Sequence, residues 1–279
     1  RLTELWNYEK YSAPFKEGNY TYYFKNDGLQ NQSVLFRQKG NGKVETFLDP
    51  NAFSKDGTTS LAGIQFSKDG SLCAYQISEG GSDWRKVIVI DAISKKMLGD
   101  TLVDIKFSGL SWRGNEGFYY SSYDKPKEGS ELSGKTQQHK LYFHKLGTKQ
   151  SEDELIFGGT VTQRRYIGGS VTEDQQFLVI SAANATYGNE LYIQSLKTKN
   201  APIVPIVKGF DTEQDVVYSE DGMLYILTNK SAPNRKLMIV DAKNPTPDNW
   251  LPLIPETKFP MSVTTCGGKF FVTYLKDAV

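Results

Sequence analysis

The sequence predicts an all-β protein, a β-propeller of four-stranded antiparallel blades, and three observations carry that prediction. Aromatic residues make up 13% of the 279 residues, with 16 Tyr and 15 Phe, a composition suited to pleated strands. Hairpin turns built on Gly, Asp or Asn recur at residues 18, 70, 117, 175, 222 and 268, so a unit of about fifty residues repeats. Each unit runs through an apolar stretch, a polar turn, an alternating aromatic and β-branched stretch, a third strand that ends near a polar turn, and a short fourth. Four antiparallel strands per repeat is the pattern of a propeller blade. A β-sandwich also spaces short strands regularly, but it does not repeat one hairpin register five times.

In chain order, residues 1–10 read as a linker and 11–279 as the propeller. The first blade, near 11–55, turns at Glu17-Gly18. The second, near 61–101, turns at Asp69-Gly70, where glycine supplies the positive φ a tight hairpin needs, and has its third strand at Lys86 to Asp91. The third, near 102–158, repeats the turn at Asn115-Glu-Gly117 before Phe118-Tyr-Tyr120. The fourth, near 162–207, has a weaker turn at Asp174-Gln175 and a third strand at Glu190 to Gln194. The fifth, near 212–256, turns at Asp221-Gly222 and has its third strand at Lys236 to Asp241. Residues 259–276 read as the first two strands of a sixth blade, turning at Gly267-Gly268. An open ring exposes apolar blade faces, so the chain is expected to be incomplete at its C-terminus. It also does not start with Met, which fits a processed or excised piece.

Charge and composition exclude several functions. A formal net charge of +1 gives no basic footprint for nucleic acid. No stretch approaches the roughly 18–20 apolar residues of a membrane helix, and no apolar signal segment follows Arg1. Cys73 and Cys266 cannot make a disulfide framework or a zinc site, and Cys73 reads as a small core residue. Two histidines, His139 and His144, poorly supply histidine-based catalysis. No metal site, nucleotide-binding loop or cofactor is expected. Gly80-Gly-Ser-Asp-Trp84 superficially suggests a nucleophile elbow, but Trp84 stands where the second glycine belongs and a strand follows. Arg164-Arg165 reads first as a solvated strand end, with contact to a peptide carboxylate or across a domain interface as the alternative. Glu152-Asp153 and Glu220-Asp221 read as solvated turn residues. The polar stretch 125–136 reads as a flexible loop, and the sequons at Asn19, Asn31, Asn184 and Asn229 are weak signals.

Several strings are more specific than the blade pattern. Tyr11-Ser-Ala-Pro-Phe-Lys16, Gly28-Leu-Gln-Asn-Gln32, Phe47-Leu-Asp-Pro-Asn51, Asp56-Gly-Thr58, Gly80-Gly-Ser-Asp-Trp84 and His139-Lys-Leu-Tyr-Phe-His144-Lys-Leu-Gly-Thr148 follow in that order. Gln150-Ser-Glu-Asp153, Thr228-Asn229 with Ala232-Pro-Asn234, and Trp250 before Pro255-Glu256 continue the series. Nearly end to end, the chain resembles the propeller domain of the prolyl oligopeptidase family of serine peptidases.

That resemblance implies a seven-bladed propeller, without the usual Velcro closure, covering an α/β-hydrolase domain whose Ser-Asp-His triad lies C-terminal to it. It implies a parent enzyme that hydrolyses short peptides after proline, with the propeller excluding bulky substrates. The chain alone is expected to be catalytically silent. The implied partners are short proline-containing peptides and the hydrolase domain of the same protein, with no nucleic acid and no membrane. A monomer is expected, in the cytoplasm or alternatively the periplasm. Carried over locally, the substrate-facing aromatic of the third blade falls on Tyr119, or on Phe118 if the turn is gapped differently, and an apolar contact falls on Ile167, ahead of Gly168-Gly169. Where mammalian members carry an Arg and a reactive Cys, the matching positions here are Ala182 and Ala185. The loop at 125–136 would lie on the hydrolase-facing side. Two other readings stand beside this one. The first is a freestanding propeller acting as an interaction platform, although the Gly-His and Trp-Asp repeats that would mark it are missing. The second is the lid of a related peptidase, oligopeptidase B-like or dipeptidyl-peptidase-like.

Overall fold

Turn formers interrupt the chain too often for long helices, and in the computed structural model Leu2–Trp6 is the only α-helix among the described residues. The structure describes residues 1–125, 129 and 137–277. Of the polar stretch read above as a loop, 126–128 and 130–136 therefore lie outside the described residues. No described helix is long and apolar enough to cross a membrane.

Five antiparallel sheets and a final hairpin succeed one another, and in four of the sheets spatial order equals chain order. Thr59–Phe66, Leu72–Glu79, Trp84–Asp91 and Met97–Lys106 make the second blade. Leu110–Arg113, Gly117–Ser122, Lys140–Lys145 and Glu154–Gly158 make the third. Tyr166–Val171, Phe177–Ala183, Glu190–Ser195 and Ile203–Val207 make the fourth. Gln214–Glu220, Met223–Thr228, Lys236–Asp241 and Leu251–Ile254 make the fifth. Met261–Cys266 pairs with Lys269–Tyr274 as the last hairpin. In the first blade the opening strand is broken into Lys10–Tyr11 and Phe15–Glu17, both paired to Tyr20–Asn26. Pro14 lies in the gap, where its missing N–H cannot serve the ladder. Val34–Lys39 and Glu45–Leu48 complete that sheet.

One blade boundary and one turn position differ from the sequence reading. The second blade was expected to end near residue 101, yet its fourth strand runs on to Lys106. Register shifts between Arg85 and Val87 and between Ile88 and Ile90 place extra residues in this strand, as β-bulges do. The alternating run after Thr101 thus closes one blade instead of opening the next. In the third blade the positive φ falls on Gly114 and not on Gly117.

Gly117 serves a different purpose. A Cβ there would collide with the backbone carbonyl of His144, so glycine is needed for close approach of two segments. Gly117→Ala is expected to cost about 1–3 kcal/mol through overpacking, read as a lowered thermal midpoint. A wild-type midpoint would contradict this account. Gly70 meets both needs: its φ of +72 suits the turn, and a Cβ there would collide with the backbone of Glu17 and Gly18.

The chain divides into two compact units, residues 1–125 with 142–154, and residues 126–141 with 155–279. In the first unit one cluster gathers Tyr22, Leu35 and Phe47 of the first blade with Phe66, Cys73 and Tyr75 of the second. Another joins Ala74, Val87 and Leu102 of the second blade to Trp112, Phe118 and Tyr120 of the third. Cys73 and Ala74 are adjacent and belong to different clusters, so this strand is covered on both faces. That explains why it is buried at nearly every position instead of at alternate ones. In the second unit, Val179, Leu191 and Ile206 of the fourth blade pack with Leu224, Met238 and Trp250 of the fifth. Leu227 and Leu237 then pack with Met261 of the final hairpin. The Cys73 thiol is held up by burial, in line with a core role and not a reactive one.

Candidate functional site

Residues Gly117–Ser122 are buried at every position. Phe118 stands opposite Trp112 across the strand pair, with ring centroids 5.2 Å apart, and also meets His144 at 5.4 Å. Tyr119 points to the other face and packs on Phe143 at 4.9 Å. Burial pushes its phenol up, against the opposing charge of Arg113. Ile167, in the second unit, is 2% exposed, and its backbone N–H donates to Nδ1 of His139 at 2.8 Å. Register places Ile167 opposite Ala182, so the structure brings those two positions together. Ala182 is buried and Ala185 is exposed. Tyr119 is likewise 2% exposed and Phe118 fully enclosed.

The cluster that sequence reading missed surrounds His144. Its Nδ1 lies 2.7 Å from Oδ1 of Asp153 and its Nε2 lies 3.2 Å from Oδ1 of Asp100. Tyr120 donates its hydroxyl to the second Asp153 oxygen at 2.8 Å, and the Gly147 N–H donates to Asp100 at 2.6 Å. The three charged side chains are 1%, 2% and 6% exposed for His144, Asp153 and Asp100. Burial opposes protonation of the imidazole, but hydrogen bonds and charge from Asp153 and then Asp100 outweigh it and raise its pKa. Asp153 is therefore not the solvated turn residue expected, although Glu152 is exposed. His144 and Asp153 are nine residues apart and Asp100 is forty-four away, so no local spacing signals the group. Both ring nitrogens face carboxylates, leaving neither to activate a serine as a triad requires.

Arg164 also departs from expectation. Its Nε pairs with Glu190 at 2.8 Å, and the same carboxylate oxygen accepts from the Tyr192 hydroxyl at 2.9 Å. A solvated strand end does not describe it. Ser82 sits in a strand–turn–strand hairpin, its hydroxyl accepting from the Trp84 N–H at 3.1 Å. That is not the strand-to-helix turn of a nucleophile elbow.

Each unit also carries open cavities. In the first, the register slips between Leu61 and Gly63 and leaves Ala62 outside the ladder. Ala62 and Gly63 line two cavities, of about 290 and 420 Å³. In the second unit, a cavity of about 640 Å³ is lined by Tyr187, Asn229, Met261 and Tyr274, with Glu213 and Arg235 paired at 3.3 Å.

Successive four-stranded antiparallel blades, a final hairpin and hydrophobic clusters shared by neighbouring blades define a β-propeller domain. The chain belongs to the prolyl oligopeptidase family, matching the model of its N-terminal β-propeller domain over residues 1–279. It is 60% identical to the prolyl endopeptidase of Elizabethkingia meningoseptica, over 100% of this chain and 39% of that protein. Against the prolyl endopeptidase of Elizabethkingia miricola it is 58% identical over the same shares. Among solved structures, prolyl oligopeptidase B from Galerina marginata, bound to a 35mer hydrolysis and macrocyclization substrate, matches with a TM-score of 0.89 at 25% identity, covering 99% of this chain and 42% of that one. The chain thus spans about two fifths of the length of these relatives.

Proposed function

We propose that this chain is the lid of a serine endopeptidase that hydrolyses short peptides after proline. The observation that carries the reading is the 60% identity along the whole chain to a prolyl endopeptidase of which it covers 39%. In this reading blades that cover an active site exclude water and bulky substrates, and the reacting groups belong to an α/β-hydrolase domain of the same protein. On the same reading the substrate-facing aromatic is Tyr119, or Phe118 on the opposite face of the same strand, and Ile167 is an apolar contact; each of the three is buried within its own unit. The cytoplasm is the expected compartment, with the periplasm as the alternative, and cell fractionation tests that assignment.

The test of the reading is enzymatic. Incubated with a proline-reporter peptide, the 279-residue chain is expected to give no turnover, whereas the same chain joined to its hydrolase domain cleaves short peptides and spares folded proteins. Turnover by the chain alone, blocked by a serine-reactive inhibitor, would overturn it. Ile167→Ala is expected to lower stability by about 2–5 kcal/mol, as deletion of a buried aliphatic side chain does. Urea unfolding measures this, and an unchanged midpoint would mean that Ile167 is not packed as described.

A further inference from the structure

The guanidinium groups of the chain are not equally neutralised. Arg37 pairs with Glu45, Arg164 with Glu190 and Arg235 with Glu213. Arg85, on the third strand of the second blade, has no carboxylate partner among the described residues. Its Nη1 donates to Oε1 of Gln76 at 2.9 Å and reaches the carbonyl of Ala62 at 3.5 Å, the outer limit of a hydrogen bond. Its Nε is shut off from water and meets no acceptor.

Gln76 fixes the orientation of this cation. The Gln76 side chain is buried, and its amide N–H donates to the carbonyl of Ser108 at 3.1 Å, which leaves Oε1 turned toward Arg85. Arg85 and Gln76 line the cavity of about 290 Å³, whose other walls include Ala62, Gly63, Ser108 and Gly109. The bulge at Ala62 and the two glycines keep bulky side chains out of the space. A half-buried cation without a counterion is costly, and an anion entering the cavity offsets that cost. The planar fork of a guanidinium favours a carboxylate, which it can hold through two parallel bonds. The volume lies at the lower end of ligand pockets, so it admits one carboxylate-bearing group and not a whole peptide.

We propose that Arg85, oriented by Gln76, is a docking site for a peptide carboxylate, either a C-terminus or an acidic side chain, in the cavity at the Ala62 bulge. An anion is inferred from the cavity alone; the choice of a peptide as its source rests on the reading of the chain as a peptidase lid.

The experiment titrates the 279-residue protein by calorimetry with short peptides of one sequence, prepared as C-terminal acid and as C-terminal amide, and with and without an internal Glu. Acetate and inorganic phosphate are titrated separately. Carboxylate-bearing peptides are expected to bind at least tenfold more tightly than the peptide with neither group, and Arg85→Gln to lose that tenfold. Arg113→Gln, which alters an exposed arginine beside Glu116, should leave binding unchanged. A second readout, the side-chain Nε–H resonance of Arg85, should shift on saturation, so a folding defect in the variant cannot mimic the result. Equal binding of the carboxylate-bearing and carboxylate-free peptides, no binding at all, or full affinity in Arg85→Gln overturns the proposal. Acetate or phosphate binding at Arg85 without peptide binding keeps the anion site and overturns its peptide source. Repeating the series with proline-free peptides separates this result from the peptidase reading, because the carboxylate preference does not depend on proline and no turnover is measured.

Discussion

Replacing His144 with leucine is expected to destabilise the protein by about 3–5 kcal/mol, the cost of breaking a buried ion pair by removing one partner. The substitution leaves Asp100 and Asp153, 6% and 2% exposed, facing each other across the space the imidazole filled. Among the described residues, only the Gly147 N–H and the Tyr120 hydroxyl remain as donors to them. Asp100 lies on the fourth strand of the second blade, His144 on the third strand of the third, and Asp153 just before that blade's fourth. The loss therefore falls on the join between two blades. The pH dependence has a definite sign. Because the folded pKa of His144 is raised, its contribution is complete below the unfolded value of about 6.5 and is lost as pH rises through the folded value. The gap in urea midpoint between wild type and His144→Leu should be widest in mildly acid solution and narrow toward alkaline pH. A gap that does not vary with pH would show that the imidazole is neutral in the fold.

The blade repeat was legible because its defining parts are local. The hairpins at Asp69-Gly70, Asp221-Gly222 and Gly267-Gly268 join adjacent strands, and positive φ appears at Gly70, Asp221, Gly222, Gly267 and Gly268. What escaped sequence reading is carried by distant pairs. Strand Met97–Lys106 outran its expected end because bulges between Arg85 and Val87 and between Ile88 and Ile90 alter the register, and alternation alone does not reveal a bulge. Tyr119 and Phe118 could be assigned to opposite faces by the period of two. Both faces of the strand are buried, however, so hydrophobicity could not say which one approaches a ligand. Nothing local in the sequence singles out Arg85, and its want of a carboxylate partner among the described residues emerges only when the neighbouring strands are in place. The same holds for Asp153, whose turn-like surroundings suggested solvation while Tyr120 and His144 enclose it.

Arg37→Met should be the second severe substitution, and its cause differs from that of His144. The Arg37 side chain, 3% exposed, donates from Nε to Glu45 at 2.7 Å and from Nη2 to the Ile93 carbonyl at 2.9 Å, while Nη1 donates to the Ala92 carbonyl. Its plane lies 4.3 Å from the Tyr20 ring centre and 5.1 Å from that of Phe47. One side chain on the third strand of the first blade thus ties the fourth strand, through Glu45 and Phe47, and Tyr20 of the second strand to the segment after Asp91 of the second blade. Methionine fills similar space but leaves two carbonyls without their donor, at roughly 1 kcal/mol or more each. Loss of the stacked cation adds roughly 1 kcal/mol, for a total of about 3 kcal/mol. Arg37→Lys should recover less than half of this, since an ammonium cannot hold three acceptors in one plane. Glu45 supplies a pH signature opposite to that of His144. The hydrogen bond from Arg37, and then that from Lys95, hold its carboxyl below the usual range. Its contribution is present above about 4.3 and is lost as pH falls through the lowered folded value. Glu45 is 43% exposed, so that part of the effect should also weaken in high salt. Urea unfolding of wild type, Arg37→Met and Arg37→Lys at neutral and acid pH distinguishes the outcomes. If lysine restores full stability, the charge on Arg37 holds the blades together; if it does not, the directed fork of hydrogen bonds does.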